Sequence, residues 1–451
     1  MALPITIPFT FASVTTTALL SNLDTDFTTV ANAINGIGNG SVSLSNVSIT
    51  GGTISGATVS TPSIANGTSN VNIGIINGSI VAATNGNTAI TIDTSQNATL
   101  VGNMSMASSF KRNRIINGNM AVNQRNVSVS AVTGTQNFSV DRWFCNVTQN
   151  SKVTLTNPSS APSGFTSSLE AFTNPATIAA GDYFNINQKI EGLNIGELQW
   201  GTASAKSVTL SFWFNSSVTG TFSGSIQNSA ANRSYVFSFS IPTANTWTYS
   251  TITIPGDTTG TWLQTNGVGL VLSFSLGTGA TYQNTSGSWY AGNYLAAAGS
   301  ATLSNSTNST FYLTGVQLEV GSIATPYEFQ IYSEQLAQCQ RYLPAWNYTA
   351  STLVFGVGQC NTTTQARIHM PFKVSTRVAP TGISIPAVSN FYIVDSTYTS
   401  AGTLSQLVFL SASTESMELA ATTSSGLTAG QITQLLSNTS AAYIFGTGCE
   451  L

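Results

Sequence analysis

The sequence predicts an all-β protein: a short N-terminal helix, an intertwined oligomeric β shaft, a jelly-roll-like β-sandwich and a smaller C-terminal β-sandwich tip. Short runs of alternating apolar and polar residues fill most of the chain. Turns rich in Gly, Asn and Pro separate these runs, and helical spacing occurs in only two short segments. Charged residues make up 6% of the 451 residues and hydrophobic residues 41%, so uncharged polar side chains must cover packed cores.

The composition argues against several classes of function. A net charge of −3 without a long basic stripe argues against nucleic acid as a partner. No apolar run reaches the roughly 18–20 residues that span a bilayer, and the N-terminus lacks the pattern of a signal peptide. We therefore expect synthesis in a cytoplasm and no membrane insertion. The cysteines are scattered, which predicts buried thiols and neither a metal site nor a cofactor: Cys145, Cys339, Cys360 and Cys449.

Residues 1–40 contain a short helical pattern. Ser21 or Asn22 can cap this helix and Gly36 can end it. Two heptads are too short to be stable alone, so the helix is expected in a bundle of identical chains, in a socket of a larger assembly, or packed on its own domain. The apolar positions follow the spacing of a coiled coil: Leu23, Phe27, Val30, Ile34 and Ile37.

Residues 41–106 predict a repetitive β shaft. The stretch "VSLSNVSITGGTISGATVS" alternates apolar and small polar residues, which is typical of strands with one buried face. Side chains this small cannot bury enough surface within one chain to offset the loss of conformational entropy. Several chains wrapped around each other would solve this problem, and a disordered linker is the alternative.

Residues 107–330 predict the jelly-roll-like sandwich. "KSVTLSFWF" places Val208, Leu210, Phe212 and Phe214 on one face, and three later stretches repeat this pattern: "SYVFSFSIP", "GLVLSFSLG" and "TGVQLEVG". Residues 331–348 form a predicted short helix that Ser333 can cap and Pro344 ends. Alternating strands resume over 349–451 and predict the tip.

Several motifs resemble a domain found in tail fibres of tailed bacteriophages. "RNRIINGNMAVNQRN" and "VDRWF" resemble its start, "QKIEG" its middle, and "YLTGVQLEVGSIATPYE" with "SEQLAQCQRYLP" its end. The resemblance covers roughly residues 110–345. It implies a structural virion protein, made in the host cytoplasm, that forms a homotrimer and contacts other virion proteins through its N-terminal segment.

The same motifs concentrate charge in a chain that has little of it. The charged and aromatic motif residues are Arg112, Arg114, Arg125, Asp141, Arg142 and Trp143. An arginine beside a carboxylate and a tryptophan can pair and stack, so these residues are predicted to form the structural junction between shaft and sandwich. A ligand contact is the alternative.

The pattern of acidic residues does not predict an enzyme. Glycoside hydrolysis needs two carboxylates across a cleft, and acidic residues lie close in sequence in only a few places: Asp24 and Asp26, Glu191 and Glu197, Glu415 and Glu418. His369 is the only histidine, which is too few for a typical metal site. A polysaccharide depolymerase whose fold unites distant carboxylates stays an alternative.

Aromatic residues on loops favour sugar binding, since aromatic rings stack on the apolar faces of sugar rings. The tip also offers aromatic residues, such as Trp346 and Tyr348. For each of the candidate aromatic residues, core packing or a contact between chains is the alternative to sugar binding. We therefore expect a trimeric tail fibre that recognises a host-surface glycan, with a capsid or collar decoration protein as the alternative. The candidate glycan-binding residues are Trp213, Tyr282, Trp289, Tyr290, Tyr294, Tyr392 and Tyr398.

Overall fold

The computed structural model describes residues 20–38, 63–66, 69–73, 79–84, 87–95, 98–100, 111–126, 128–129, 132–134, 136–303, 308–395 and 400–451. The chain divides into two compact units, Met1–Ser105 and Met106–Leu451. Nearly all the regular structure is β, which confirms the predicted fold class. Within the described residues, no helix is both long and apolar enough to cross a membrane.

The predicted N-terminal helix is α1 (Leu20–Gly38). It begins before Ser21 and Asn22, so neither residue is its cap, and it continues past Gly36. The hydroxyl of Thr28 donates to the carbonyl of Asp24 one turn earlier, at 2.7 Å. Local side-chain bonds of this kind satisfy the threonine hydroxyls without ending the helix.

The apolar stripe of α1 is largely open to solvent in the single chain. Phe27 is 65% exposed and Ile34 58% exposed, whereas Val30 is half-buried. The side chains of Leu23 and Ile37 lie outside the described residues. The role of these five residues at an oligomer axis stays a prediction.

The predicted shaft contains a meander of five short antiparallel strands. Consecutive strands pair in the order β1-β2-β3-β4-β5 within one chain. Ile80 pairs with Ile92, and these two share an exposed face with Ile90. Residues 41–62 lie outside the described part, and intertwining with other chains stays a prediction. The strands are β1 (Ser63–Asn66), β2 (Ser69–Ile73), β3 (Ile80–Thr84), β4 (Asn87–Ile92) and β5 (Ala98–Leu100).

The second unit begins with a two-sheet antiparallel sandwich, as predicted. Its strands are β6 (Asn137–Phe138), β7 (Phe144–Val147), β8 (Val153–Thr156), β9 (Leu169–Thr173), β10 (Tyr183–Glu191), β11 (Val208–Ser216), β12 (Gly220–Asn228), β13 (Ser234–Ile241), β14 (Thr248–Ile254), β15 (Val268–Thr278), β16 (Gln283–Asn284), β17 (Ser288–Tyr290), β18 (Ala296–Ala297) and β19 (Ser309–Val320). One sheet has the order β17-β13-β12-β15-β10-β7-β6 and the other β14-β11-β19-β9-β8. β16 and β18 form a small parallel pair.

The sandwich core contains the residues that the alternating pattern placed inside. Val208, Leu210, Phe212 and Phe214 of β11 are all buried. The ring of Phe212 lies edge-on to that of Phe274 in the facing sheet, with centroids 4.9 Å apart. Aromatic pairs of this geometry contribute about 0.5–1.5 kcal/mol beyond the burial of their surface.

The C-terminal part starts with the second predicted helix and continues in strands. The helix begins after Ile331, which makes no side-chain capping bond, so Ser333 lies within its first turn. Its buried Cys339 is one of the chain's four cysteines, all free and buried, as predicted. The elements are α2 (Tyr332–Gln340), β20 (Ala345–Asn347), β21 (Val354–Cys360), β22 (Gln365–Pro371), β23 (Gly382–Ser384), β24 (Phe391–Asp395), β25 (Ser400–Ala412), β26 (Ser416–Thr423), β27 (Ile432–Ser437) and β28 (Tyr443–Thr447).

The tip differs from the predicted second sandwich because its sheet closes on itself. The strands β21-β22-β26-β25-β24-β27 form a closed barrel, in which β27 pairs with both β21 and β24. Closure leaves no unpaired edge strand. Strand alternation is the same in a sandwich and a barrel, so the sequence pattern does not distinguish them. β20, β28 and β23 form a separate three-stranded sheet.

Candidate functional site

An aromatic groove lies on the outer face of the five-stranded sheet of the sandwich. Its volume is about 530 Å³, within the range of small-ligand sites. Strands β11, β14 and β19 form its floor, and the loops before β9 and after β19 form its walls. The lining residues are Ser163, Gly164, Phe165, Ser211, Trp213, Tyr249, Thr251, Gly315, Ala324, Thr325, Pro326, Tyr327 and Phe329.

Two groups of rings line this groove. On the sheet, the centroids of Trp213 and Tyr249 are 5.3 Å apart. On the loops, Phe165 lies 5.2 Å from both Tyr327 and Phe329. Tyr249 is 42% exposed and Phe329 58% exposed, so rings of both groups are accessible to a ligand. The groove therefore offers flat apolar surfaces to a ring-shaped ligand.

A β-bulge at Gly315 shapes the floor. Ser211 pairs with Gln317 and Trp213 with Thr314, so two residues of β19 face one residue of β11 at this point. Gly315 has a φ of 60°, and a Cβ there would lie 2.7 Å from the ring of Phe165 and 3.1 Å from that of Trp213. Only glycine lets the two rings approach the strand this closely.

The sequence identified one of the groove's five aromatic residues. Trp213 points outward between core-facing Phe212 and Phe214, as its alternation predicted. Tyr249 follows the same alternation on β14 and could have been found from it. Phe165 and Phe329 lie on loops, where neither strand nor helix periodicity predicts the direction of a side chain.

The predicted aromatic loop around residues 282–294 does not form one surface. Trp289 packs into a cluster with Trp200, Trp262 and Tyr235, at centroid distances of 5.3 to 5.5 Å. Its ring nitrogen donates to the carbonyl of Pro255 at 2.8 Å. These contacts are those of a residue at the edge of a core.

The other predicted loop tyrosines form two separate pairs. Tyr290 and Tyr294 contact each other at 5.8 Å, whereas Tyr282 contacts Tyr183 at 5.4 Å. All three predicted residues are half-buried. None of them lines the aromatic groove, and their role in sugar binding stays a prediction.

The predicted tip residues are similarly dispersed. Tyr392 lies half-buried on β24, and Tyr398 falls outside the described residues. Trp346 is 6% exposed, and Tyr348 packs on Phe355 at 4.5 Å. The described tip residues therefore present no aromatic surface comparable to the groove.

A larger groove of about 890 Å³ lies elsewhere on the sandwich, but no aromatic side chain lines it. Its long polar side chains already have partners within the fold. Gln149 donates to the carbonyl of Thr177 at 2.7 Å, and Lys152 donates to that of Pro175 at 2.8 Å. It is therefore the weaker candidate for binding a ring-shaped ligand.

The motif arginines near residue 112 hold the start of the sandwich in place. Arg112 donates to the carbonyl of Pro326 and lies 3.5 Å from a carboxylate oxygen of Glu319. Arg114 pairs with Glu197 and donates to the carbonyl of Lys111 at 3.0 Å. The contacts of Arg112 join the entry segment to the end of β19 and the segment after it, beside the aromatic groove, whereas Arg114 joins it to the turn that contains Glu197.

The second pair of motif arginines binds the C-terminal end of the chain. Arg125 pairs with Glu450 at 3.1 Å, and Arg142 pairs with the other oxygen of the same carboxylate. Arg142 lies over the ring of Tyr342, 3.6 Å from its centroid. Burial raises the pKa of Asp141 to about 6, although Arg125 and hydrogen bonds from Gln124 act in the other direction.

Trp143 is buried rather than stacked on a motif arginine. Its ring nitrogen donates to the carbonyl of Asn117 at 3.0 Å. The amide of Asn117 in turn donates to the carbonyls of Val122, at 2.8 Å, and Asp141, at 3.0 Å. The "ING" and "DRW" motifs are therefore joined by hydrogen bonds inside the fold.

Several buried carboxylates of the second unit serve structural hydrogen bonds. Glu191 accepts from Arg341 and Tyr342, and these bonds lower its pKa despite the opposing effect of burial. Asp257 accepts two bonds from Arg233, at 2.6 and 2.8 Å. Among the described residues, no cluster of His, Cys, Asp and Glu has the composition of a metal site.

No protein-family model and no curated protein matches the chain. Among solved structures, it is similar to the enzymatically active domain of tailspike protein 4 from bacteriophage CBA120, at 14% identity and a TM-score of 0.27. The match covers 47% of this chain and 22% of the tailspike chain, so this chain spans about a fifth of that structure.

Two further similar structures are described as sugar-binding proteins. A family 11 carbohydrate-binding module from Clostridium thermocellum, in complex with a mixed-linked tetrasaccharide, is 13% identical, with coverage of 45% and 99% and a TM-score of 0.23. A putative sugar binding protein from Bacteroides thetaiotaomicron is 10% identical, with coverage of 46% and 100% and a TM-score of 0.27. At TM-scores below 0.5, these similarities assign no function to this chain.

Proposed function

We propose that the protein is a structural component of a bacteriophage virion, a trimeric tail fibre that binds a glycan on the host surface. The observation that carries the sugar-binding part is the aromatic groove, where Trp213, Tyr249 and Phe329 offer apolar ring faces beside hydroxyl groups. Open aromatic surfaces flanked by a few polar groups suit sugar rings, which are apolar on their faces and polar at their edges.

The fibre part of the proposal has different support. The phage-like motifs occupy structural positions in the sandwich, as the bond from Trp143 to Asn117 illustrates. On α1, the exposed side chains of Phe27 and Ile34 are a surface that neighbouring chains of a trimer would cover. Three copies would also strengthen a weak sugar site through avidity.

Binding without cleavage is the expected activity. Glu191, Asp257 and Asp141 are each occupied by hydrogen bonds that hold the fold together. A depolymerase would lower the viscosity of a host polysaccharide during incubation, whereas a non-catalytic fibre would bind it and leave the viscosity unchanged. A decoration protein would do neither.

The first experiment measures binding of the full-length chain to host cells and to an array of bacterial surface glycans. Trp213→Ala is the test variant, and Trp247→Ala is its control because Trp247 is half-buried on the sandwich outside the groove. We expect Trp213→Ala to abolish binding and Trp247→Ala to retain it. Equal binding by both variants would exclude the groove as the receptor site.

A second experiment tests the trimer. Light scattering should give a mass of three chains for the full-length protein, about 141 kDa from the 47.0 kDa chain. Removal of residues 1–106 should weaken or abolish this assembly. A full-length monomer would contradict the fibre proposal.

A further inference from the structure

The aromatic groove has no charged side chain among its lining residues. Behind the loop that follows β19, Glu319 forms an ion pair with Arg112. The Glu319 carboxylate also accepts a hydrogen bond from the backbone N–H of Thr325 at 2.8 Å. Burial raises the pKa of Tyr327, so its phenol stays neutral. The groove therefore provides no counter-charge for a carboxylate or phosphate on a ligand.

The hydroxyl of Ser211 lines this groove and has no partner from the protein. The residue is 2% exposed and lies on β11 between Gln317 of β19 and Thr251 of β14. Among the described residues, its hydroxyl has no hydrogen-bond partner.

Two other outward-facing hydroxyls on β11 and β19 are satisfied within the protein. Thr209 donates to the carbonyl of Gly321 at 2.8 Å, and Thr314 donates to that of Ser167 at 2.9 Å. Ser211 thus differs from Thr209 and Thr314, and it lies in the floor of the groove with Thr251. A ligand hydroxyl is the partner that this position can accept.

We propose that the aromatic groove binds an uncharged glycan, and that Ser211 forms a hydrogen bond with one of its hydroxyl groups. A sugar ring packs against Trp213 while Ser211 Oγ fixes its orientation, and Thr251 adds a second hydroxyl at the groove. This inference rests on the proposed sugar-binding function. It adds the chemical class of the ligand, an uncharged glycan, and names Ser211 as the residue that forms a hydrogen bond with it.

The test compares neutral hexose oligosaccharides with fragments that bear uronic acid or phosphate groups on one glycan array, using the full-length protein. Binding that depends on Trp213 should be confined to the neutral fragments. Exclusive binding of acidic fragments through Trp213 would overturn the inference while retaining the proposed function. Absence of any Trp213-dependent binding would overturn the function itself.

Ser211→Ala tests the orienting residue. We expect its affinity for a bound neutral fragment to fall roughly fivefold to tenfold, the effect of one lost hydrogen bond. Its melting temperature should stay equal or rise, because the deleted hydroxyl has no protein partner. Ser240→Ala, at an exposed position on β13, is the matched control and should change neither value. Unchanged affinity of Ser211→Ala would overturn the assignment.

Discussion

Arg125 forms an ion pair with Glu450, 325 residues later in the chain, at an N–O distance of 3.1 Å. The same carboxylate also pairs with Arg142, which is 3% exposed. A motif at the start of the sandwich thereby binds the segment that follows the last strand of the tip. Ion pairs therefore hold the sandwich and the tip together, in addition to the chain that connects them.

Glu450→Gln should lower the free energy of unfolding by about 2–4 kcal/mol, because the buried Arg142 loses its carboxylate and Arg125 keeps only the longer pair with Asp141, at 3.8 Å. Urea denaturation measures this change. Glu418→Gln is the control, since its pair with Arg367 is exposed and should contribute no more than about 0.5 kcal/mol. Equal effects of the two variants would show that Glu450 has no special role.

Asp141 should make the protein more stable as the pH falls from 7 to 5. Its pKa is raised to about 6 in the folded state from an ordinary value of 3.8, so the folded state binds the proton more tightly. The gain begins as the pH falls through about 6, with an upper limit of about 3 kcal/mol reached below the unfolded pKa. Denaturation of Asp141→Asn at each pH should show a smaller rise.

Stability should fall again at lower pH. Glu191 and Asp257 have lowered pKa values because of their bonds to Arg341 and Arg233, although burial opposes this shift. The stability that these ionised carboxylates provide is present above their unfolded pKa values and is lost as the pH falls through the folded ones. A maximum between about pH 4 and 5 is therefore expected. A steady fall from pH 7 downward would contradict the role given to Asp141.

Gly315→Ala should damage the groove more than the fold. The new methyl group meets the rings of Phe165 and Trp213, and the positive φ adds a cost of about 1–2 kcal/mol. Gly430→Ala carries a similar backbone cost at φ 88° with no atom within 4 Å of the new Cβ. Gly315→Ala should lose at least as much stability in urea as Gly430→Ala, and only Gly315→Ala should lose glycan binding.

Trp289→Ala should affect stability rather than binding. Its ring joins Trp200 and Trp262, so its removal should lower the free energy of unfolding by about 2–4 kcal/mol. Thermal unfolding and glycan binding of the folded fraction measure the two effects separately. Loss of binding with unchanged stability would support the sugar-contact role predicted from the sequence.

The sequence by itself determined which residues are inside the sandwich, because strand alternation assigns a side to every second residue. Phe212 and Phe214 are buried and Trp213 points outward for this reason. Alternation also indicated the short strands within residues 41–106, and the spacing of apolar residues indicated both helices, whereas the pairing of β1 to β5 within one chain came from the structure. The "ING" and "DRW" motifs were noticed by their resemblance to phage tail-fibre domains, which did not give their hydrogen-bond partners.

Only the tertiary structure decided which outward residues meet. Trp213 and Phe329 line one groove because a bulge at Gly315 and a loop after β19 bring them together. Strand β27 closes a barrel in the tip, where the sequence predicted a second sandwich. Glu450 forms an ion pair with Arg125, which lies far away in the sequence. Local periodicity carries no information about such long-range contacts, since it records the side of a strand and not the partner that strand finds.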